Sequence, residues 1–241
     1  MSSEKGLSAG IKSYFEATRG ATYSFIFALP LFILYEFLSW MGSDARGAGV
    51  RNGADVLVKS LLAPLGIRSL PAFAALLAIA FGIAIYRENS RQKIKVVNSW
   101  FAWMLGESVI YAFLLAPAVN FMMTKARLLS LSFSQEFTVM LGAGLYEELV
   151  FRVLLIAMVR WMVNTSFSIR GWESSLYAVI VSSLIFSGFH HVGSFGEPFT
   201  WSAFIFRALA GGVLALMYIL RGFGITAYSH AIYDLLVLFT R

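Results

Sequence analysis

Ionisable side chains interrupt the apolar segments in the second half of the chain. In the hydrocarbon core of a membrane, such a side chain costs roughly 2.5–3.5 kcal/mol on insertion scales, so its presence there indicates a functional site. A carboxylate and an imidazole that share a desolvated pocket can activate a water molecule, which is the chemistry of hydrolysis. The residues concerned are Glu147, Glu148, Arg152, His190, His230 and Asp234.

The first of these residues lie in GLYEELVFRVLLIAMV, residues 144–159. On an α-helix, Glu148 and Arg152 are four residues apart with the acid nearer the N-terminus, which is the favourable order for an ion pair. Glu147 lies about 100° further round the helix and has no partner on it, so we predict that it is free to act as a general base. For this segment alone, the alternative is a salt-bridged contact between two helices.

Each histidine of interest has a neighbour at helical spacing. Phe186 and His190 are four residues apart, so the phenyl ring should pack one turn from the imidazole and lock its rotamer. The alternative is a helix-terminal histidine at the membrane interface. His230 and Asp234 are also four residues apart, and an acid at that spacing can fix the tautomer of the imidazole or favour its charged form. Together with Glu147, these residues come from three apolar segments and could converge on one buried water.

The sequence lacks the signatures of several other kinds of catalysis. It has no cysteine, and therefore no thiolate nucleophile, thiolate metal site or disulfide. No serine–histidine pairing stands out and there is no HExxH segment, so neither a seryl nucleophile nor a zinc protease helix is indicated. Two possibilities remain open, a water activated by Glu147 and His190, or a divalent metal such as zinc held by Glu147, His190, His230 and Asp234.

The elements that must position these residues are membrane helices. Of the 241 residues, 59% are hydrophobic and 13% are charged, and the mean hydropathy is +0.73, values that indicate a membrane protein. We predict an all-α fold, a polytopic transmembrane bundle of seven to eight helices that forms one membrane domain over residues 1–241. The eighth candidate, 56–67, is short for a span and favours a re-entrant or interfacial segment. The seven other segments are 22–41, 69–86, 99–123, 137–163, 172–192, 200–220 and 222–240.

The distribution of charge indicates how the chain is oriented in the membrane rather than a charged partner. The net charge of +6 is spread over short connections without a basic stripe interleaved with aromatic residues, so we expect no nucleic-acid partner. The Lys and Arg of the RENSRQKIK loop, residues 87–95, place that loop in the cytoplasm by the positive-inside rule. The first apolar segment is longer than a signal-peptide core and lacks a small-residue cleavage site, so it should be retained. We predict a multi-pass protein of the bacterial inner membrane.

Three short motifs follow one another on successive apolar segments. They are EELVFR at 147–152, FSGFH at 186–190 and HAIYD at 230–234. The order EExxxR, FxxxH and HxxxN or HxxxD resembles the CPBP family, the type II CAAX prenyl endopeptidases and bacteriocin-processing membrane proteases. The resemblance covers about residues 137–240, which would be the catalytic core. It implies an intramembrane endopeptidase whose partners are the lipid bilayer and a membrane-associated protein or peptide substrate.

The resemblance also implies roles for the residues of the first two motifs. Glu147 and His190 would activate the water that attacks the peptide bond. Glu148 and Arg152 would organise the site. Phe186 is a further supporting residue by its spacing from His190, independently of the resemblance. The reaction would then be glutamate-dependent and need no cofactor.

At the third motif the chain departs from the HxxxN pattern. By resemblance, His230 would stabilise the oxyanion. An asparagine four residues later could also donate to an oxyanion, whereas an ionised Asp234 would repel it, so Asp234 must be protonated, orient His230 or bind a metal. We favour Asp234 as the residue that orients His230. Metal dependence is the less favoured alternative, and it stays open because aspartate is a better metal ligand than asparagine.

Two functions from other classes compete with proteolysis. A proton-coupled transporter could use Glu, His and Asp as a proton relay. It predicts a matching repeat in both halves of the chain, whereas the polar residues are concentrated in one half. The other competitor is a non-catalytic immunity or scaffold member of the same family.

Residues outside the motifs admit both structural and functional interpretations. Arg207 could meet a substrate carboxylate, but we predict that it pairs with Glu36 or Glu107. The glycines that flank the motifs could admit substrate, and for at least half of them we predict close helix packing instead. These glycines are Gly142, Gly144, Gly188 and Gly193.

Overall fold

The computed structural model describes residues 2–43, 49–67, 69–115, 131–193 and 196–240. Within these ranges helices are joined by short connections and no strand is present, which confirms the all-α fold class. In chain order the elements are α1 Ser2–Thr18, α2 Ala21–Met41, α3 Gly53–Leu62, a 3-10 turn Ala63–Leu65, α4 Leu70–Arg91, α5 Ser99–Leu115, α6 Phe133–Gly142, a π-helix Ala143–Leu155, α7 Ile156–Ser166, α8 Gly171–Phe189, α9 Trp201–Arg221 and α10 Phe223–Thr240.

Five of these helices, α2, α4, α8, α9 and α10, are long and apolar enough to cross a membrane. The apolar helix α5 is shorter, and the end of the predicted segment 99–123 lies outside the described residues. The predicted segment 137–163 falls on α6, the π-helix and α7, which follow one another without a break. The total of seven to eight spans therefore stays a prediction.

The segment 56–67 forms a short helix rather than a span. Helix α3 has ten residues, and the 3-10 turn after it ends at Gly66, whose φ of 85° is a left-handed conformation suited to glycine. The side chain of Asn52 caps α3, because its oxygen accepts a hydrogen bond from the backbone N–H of Ala54 at 2.8 Å. Helix α3 packs against the π-helix, so this short element belongs to the core of the bundle.

The π-helix and α10 lie against each other at the centre. A Cβ at Gly144 would come within 2.6 Å of the carbonyl oxygen of Ala227 and of Ala231, so only glycine permits this close approach. Gly142 is equally confined, because a Cβ there would come within 2.4 Å of the Tyr35 ring. A Cβ at Gly188 or Gly193 would meet open space. The prediction of close packing for at least half of the four glycines is confirmed.

Polar contacts fix the end of the bundle that carries the RENSRQKIK segment. The prediction of a loop was wrong for residues 87–91 of this segment, because they form the last turn of α4. Thr22, at the start of α2, donates its backbone N–H and its hydroxyl to Glu88 at 2.6 Å each. At the same end, Arg221 donates to Glu107 at 2.8 Å and to the Thr18 hydroxyl at 3.0 Å, which ties α9 to α5 and α1. The second half of α2 lies towards the other end, where α3 packs. The RENSRQKIK segment and α3 are thus at opposite ends of the bundle.

Candidate active site

The segment with the two adjacent glutamates is a π-helix, with hydrogen bonds from i to i+5, and the expectation of an α-helix was wrong there. Extended π-helices are rare, and π-helical turns occur frequently at functional sites. The wider turn still places Glu148 and Arg152 side by side. The Nε atom of Arg152 lies 3.1 Å from Oε2 of Glu148, and both side chains are fully buried. The predicted ion pair is therefore present.

Glu147 has partners from two other elements. Its Oε1 accepts a hydrogen bond from the Nδ2 amide of Asn52 at 2.9 Å, and its Oε2 lies 3.8 Å from Nε2 of His190. Only 7% of the Glu147 side-chain surface is exposed. The sequence predicts no partner for Glu147 on its own helix and predicts His190 as its neighbour across the site. It does not indicate Asn52, whose only local signal is that of a helix cap in RNGAD.

His190 is held at the C-terminal end of α8. Its Nδ1 lies 2.8 Å from the carbonyl oxygen of Phe186, and the two rings meet edge to face at 4.7 Å, as the FxxxH spacing predicts. A carbonyl oxygen can only accept a hydrogen bond, so Nδ1 carries the hydrogen and Nε2 of the neutral ring can accept one. The site thus presents two acceptors, Oε2 of Glu147 and Nε2 of His190, at 3.8 Å.

Glu148 connects the first motif to the third. Its Oε1 lies 2.9 Å from Nδ1 of His230, while its Oε2 faces Arg152. Asp234 is farther from His230, with 3.6 Å between Oδ2 and Nε2, which is beyond a hydrogen bond. The nearer carboxylate at His230 is therefore Glu148 rather than Asp234. No spacing in the sequence indicates the contact between Glu148 and His230, because these two residues lie in different helices.

Arg152 is enclosed between an acid and an aromatic ring. Its guanidinium carbon lies 4.5 Å from the centre of the Phe186 ring, a cation–π contact. Within the described residues, neither Nη1 nor Nη2 has a hydrogen-bond partner. The neutralisation of this buried cation therefore depends on Glu148, with the ring of Phe186 as a second support.

The prediction for Arg207 was wrong. Arg207 pairs with Glu197, which lies in the connection between α8 and α9. The two predicted partners are bound elsewhere, since Glu107 accepts from Arg221 and Glu36 accepts from Lys59 at 2.9 Å. Periodicity within one helix cannot identify a partner that lies in a loop.

His191 points away from the two glutamates. Its Nδ1 lies 3.1 Å from the carbonyl oxygen of Glu197, and its ring meets that of Phe199 at 5.2 Å. His191 therefore helps to fold the connection after α8, and the structure does not bring it to Glu147.

The residues considered as metal ligands do not form a metal site in the described part of the chain. There, no three or more His, Asp or Glu side chains are grouped closely enough to hold an ion. The four residues Glu147, His190, His230 and Asp234 instead make the pairwise contacts given above.

Buried ionisable residues within a bundle of apolar helices, here Glu147 beside His190, indicate a functional site at membrane depth. Residues 130–236 match the family model of the Rce1-like type II CAAX prenyl endopeptidases. Over these residues the chain is similar to that family, and the resemblance seen in the three motifs is confirmed. No curated protein and no solved structure matches the chain. At the level of the family, the chain is a CAAX-protease-like intramembrane peptidase and an integral membrane protein.

Proposed function

We propose that the protein hydrolyses a peptide bond of a membrane-associated protein or peptide with a water molecule activated by Glu147 and His190. The observation that carries the proposal is the pair of hydrogen-bond acceptors, Oε2 of Glu147 and Nε2 of His190, 3.8 Å apart. Each residue is fixed through its other polar atom, Glu147 by Asn52 and His190 by the Phe186 carbonyl. Such fixation gives the orientation that general-base catalysis needs.

A water beside these two acceptors can donate one O–H to each. In the proposed reaction the water oxygen attacks the carbonyl carbon of the substrate, and its proton passes to Glu147. His190 keeps the water in line during the attack. The C–N bond then breaks, the proton is transferred to the leaving amine, and the acid product departs.

The negative charge that develops on the substrate oxygen needs a donor, and we assign that role to His230. Its Nδ1 faces Glu148, so Nε2 is the ring atom left for the substrate. The carboxylates of Glu148 and Asp234 on either side favour the charged imidazole, in which Nε2 is a donor. Arg152 balances the charge of Glu148, so the site can remain buried.

The surroundings of the site restrict the substrate. Glu147 and His230 are buried, and 21% of the His190 side chain is exposed, so access is through the His190 side. A helical peptide bond is already hydrogen-bonded, so the substrate must be locally unwound to be cut. A membrane-anchored protein or peptide in a bacterial inner membrane fits these requirements. The reaction is assigned to residues 137–240 as the catalytic core of one membrane domain.

The test is cleavage of membrane-anchored and CAAX-like peptides by purified protein in nanodiscs. Wild type should cut at least one peptide, and Glu147→Gln and His190→Ala should each lose nearly all of that activity. Glu173→Gln is the matched control, because Glu173 is an exposed acid at the start of α8. Equal cleavage by wild type and Glu147→Gln would exclude the proposed base. No cleavage by a correctly folded wild type would favour the carrier or the scaffold.

A further inference from the structure

The side chain of Asn52 makes two hydrogen bonds with different consequences. Its oxygen accepts from the backbone of Ala54 and caps α3, and its Nδ2 donates to Oε1 of Glu147 at 2.9 Å. Asn52 is 4% exposed, so both bonds are shielded from water. It lies far outside residues 130–236, so the N-terminal part of the chain supplies a contact to the catalytic residues.

The backbone at Asn52 is itself fixed by Tyr35 of α2. The Tyr35 hydroxyl accepts from the backbone N–H of Asn52 at 3.2 Å and donates to Asp55 at 2.8 Å. A Cβ at Gly142 would come within 2.8 Å of the Asn52 Cβ, so α6 also closes against this residue. Asn52 is thus held by α2, α3 and α6, and its amide has little freedom to move away from Glu147.

A cluster of four charged side chains holds α3 against α2, next to Asn52. Arg51 contacts Glu36 at 3.1 Å and Asp55 at 2.8 Å, and Lys59 contacts the same two acids at 2.9 and 2.7 Å. Burial lowers the pKa of Arg51, but the carboxylates of Asp55 and Glu36 outweigh it and hold that pKa above its usual range. Tyr146, which precedes Glu147, donates to Glu36 at 2.5 Å.

We infer that Asn52 is a positioning residue for Glu147, an inference that rests on the proposed role of Glu147 as the base. The amide holds Oε1 and so leaves Oε2 directed at His190. It also stabilises the ionised carboxylate, because a hydrogen bond to the charged form favours that form. The helix α3 and its charge cluster are the platform that holds the amide in place.

Two substitutions separate this role from capping. Serine and aspartate cap helices about as well as asparagine, so Asn52→Ser and Asn52→Asp should still cap α3. Neither has an amide to donate to Glu147, and Asn52→Asp adds a negative charge beside it. Asn98→Ser is the matched control, since Asn98 is an exposed residue next to the RENSRQKIK segment.

The expected result is a loss of kcat with KM little changed, accompanied by a small fall in the unfolding temperature that does not account for the loss of kcat. For Asn52→Ser, kcat should fall roughly ten- to a hundredfold, the size expected for a hydrogen bond to a charged group. Asn52→Asp should lose more, because two carboxylates would then face each other. Asn98→Ser should match wild type. Unchanged kcat in Asn52→Ser, or a loss that follows only the unfolding temperature, would overturn the inference.

A second measurement does not require activity. The unfolding temperatures of Asn52→Ser, Glu147→Ala and the double variant form a cycle that reports the coupling between the two side chains. The fall in unfolding temperature of the double variant should be smaller than the sum of the two single falls, because either substitution already removes the contact. Additive effects would reject the contact and the inference with it. A coupled pair in a protein that cuts no peptide would instead place the failure in the proposed function.

Discussion

Oε1 of Glu148 lies 2.9 Å from Nδ1 of His230, although the two residues are 82 positions apart in the chain. The other carboxylate oxygen of Glu148 faces Arg152 at 3.1 Å. One fully buried acid therefore joins the EExxxR motif on the π-helix to the HxxxD motif on α10. The close approach at Gly144 makes this possible, because it brings the two helices into direct contact.

Substitution of Glu148 should affect both folding and catalysis. In Glu148→Gln, Arg152 loses its only charged partner in the described residues and becomes an uncompensated buried cation. Loss of one member of a buried ion pair typically lowers the free energy of unfolding by about 3–5 kcal/mol. Thermal unfolding in detergent measures this loss, with Glu173→Gln, an exposed acid at the start of α8, as a control. A Glu148→Gln protein as stable as wild type would contradict the assigned contact.

Replacement of Asp234 should matter less than replacement of His230. Asp234 lies beyond hydrogen-bond distance of His230, and Glu148 holds the other ring nitrogen. Asp234→Asn should therefore reduce kcat by less than about tenfold, the size of a neutral hydrogen bond or less. His230→Ala should reduce kcat by roughly a hundredfold or more, as expected for an oxyanion donor. The two values of kcat, measured on one peptide, decide the order, and the reverse order would restore Asp234 as the orienting residue.

The sequence predicts the elements and the contacts within one element better than the contacts between elements. Apolar runs fix where helices lie, and a spacing of four residues correctly places Phe186 beside His190 and Glu148 beside Arg152. Contacts such as Asn52 with Glu147 depend on how distant segments pack, for which one sequence carries no local signal. The π-helix was missed for a related reason, since apolar periodicity does not distinguish it from an α-helix over one or two turns.

Chelation tests the metal alternative directly. In the described residues no group of three ligands surrounds a metal position, and the proposed reaction uses only protein side chains and water. Activity should therefore be unchanged after dialysis against a strong chelator, and added zinc should not increase it. A loss that zinc restores would assign Glu147, His190, His230 and Asp234 to a metal site. Zinc content of the purified protein, measured by elemental analysis, gives an independent reading.

The ion pair between Arg207 and Glu197 should hold the connection between α8 and α9, which follows His190, in position. The backbone N–H of Glu197 donates to the carbonyl oxygen of His190 at 2.9 Å, so a change in the position of Glu197 should also move His190, the residue proposed to orient the water. The charge of Arg207 also interacts with Glu147 and His190. Arg207→Ala and Glu197→Ala should each reduce kcat by about tenfold, an effect of the size seen for residues that hold a catalytic group in place.

The double variant decides whether these effects share one cause. If the pair acts as a clamp on the connection, Arg207→Ala combined with Glu197→Ala should lose little more than either single variant, because the clamp is already broken. Glu16→Ala is a suitable control, since its pair with Lys12 is exposed and remote in the chain from the site. If the losses instead multiply, Arg207 acts on the site separately from Glu197. A carboxylate of the substrate would then be the partner of Arg207, because Arg207 would contribute to turnover even when Glu197 is absent.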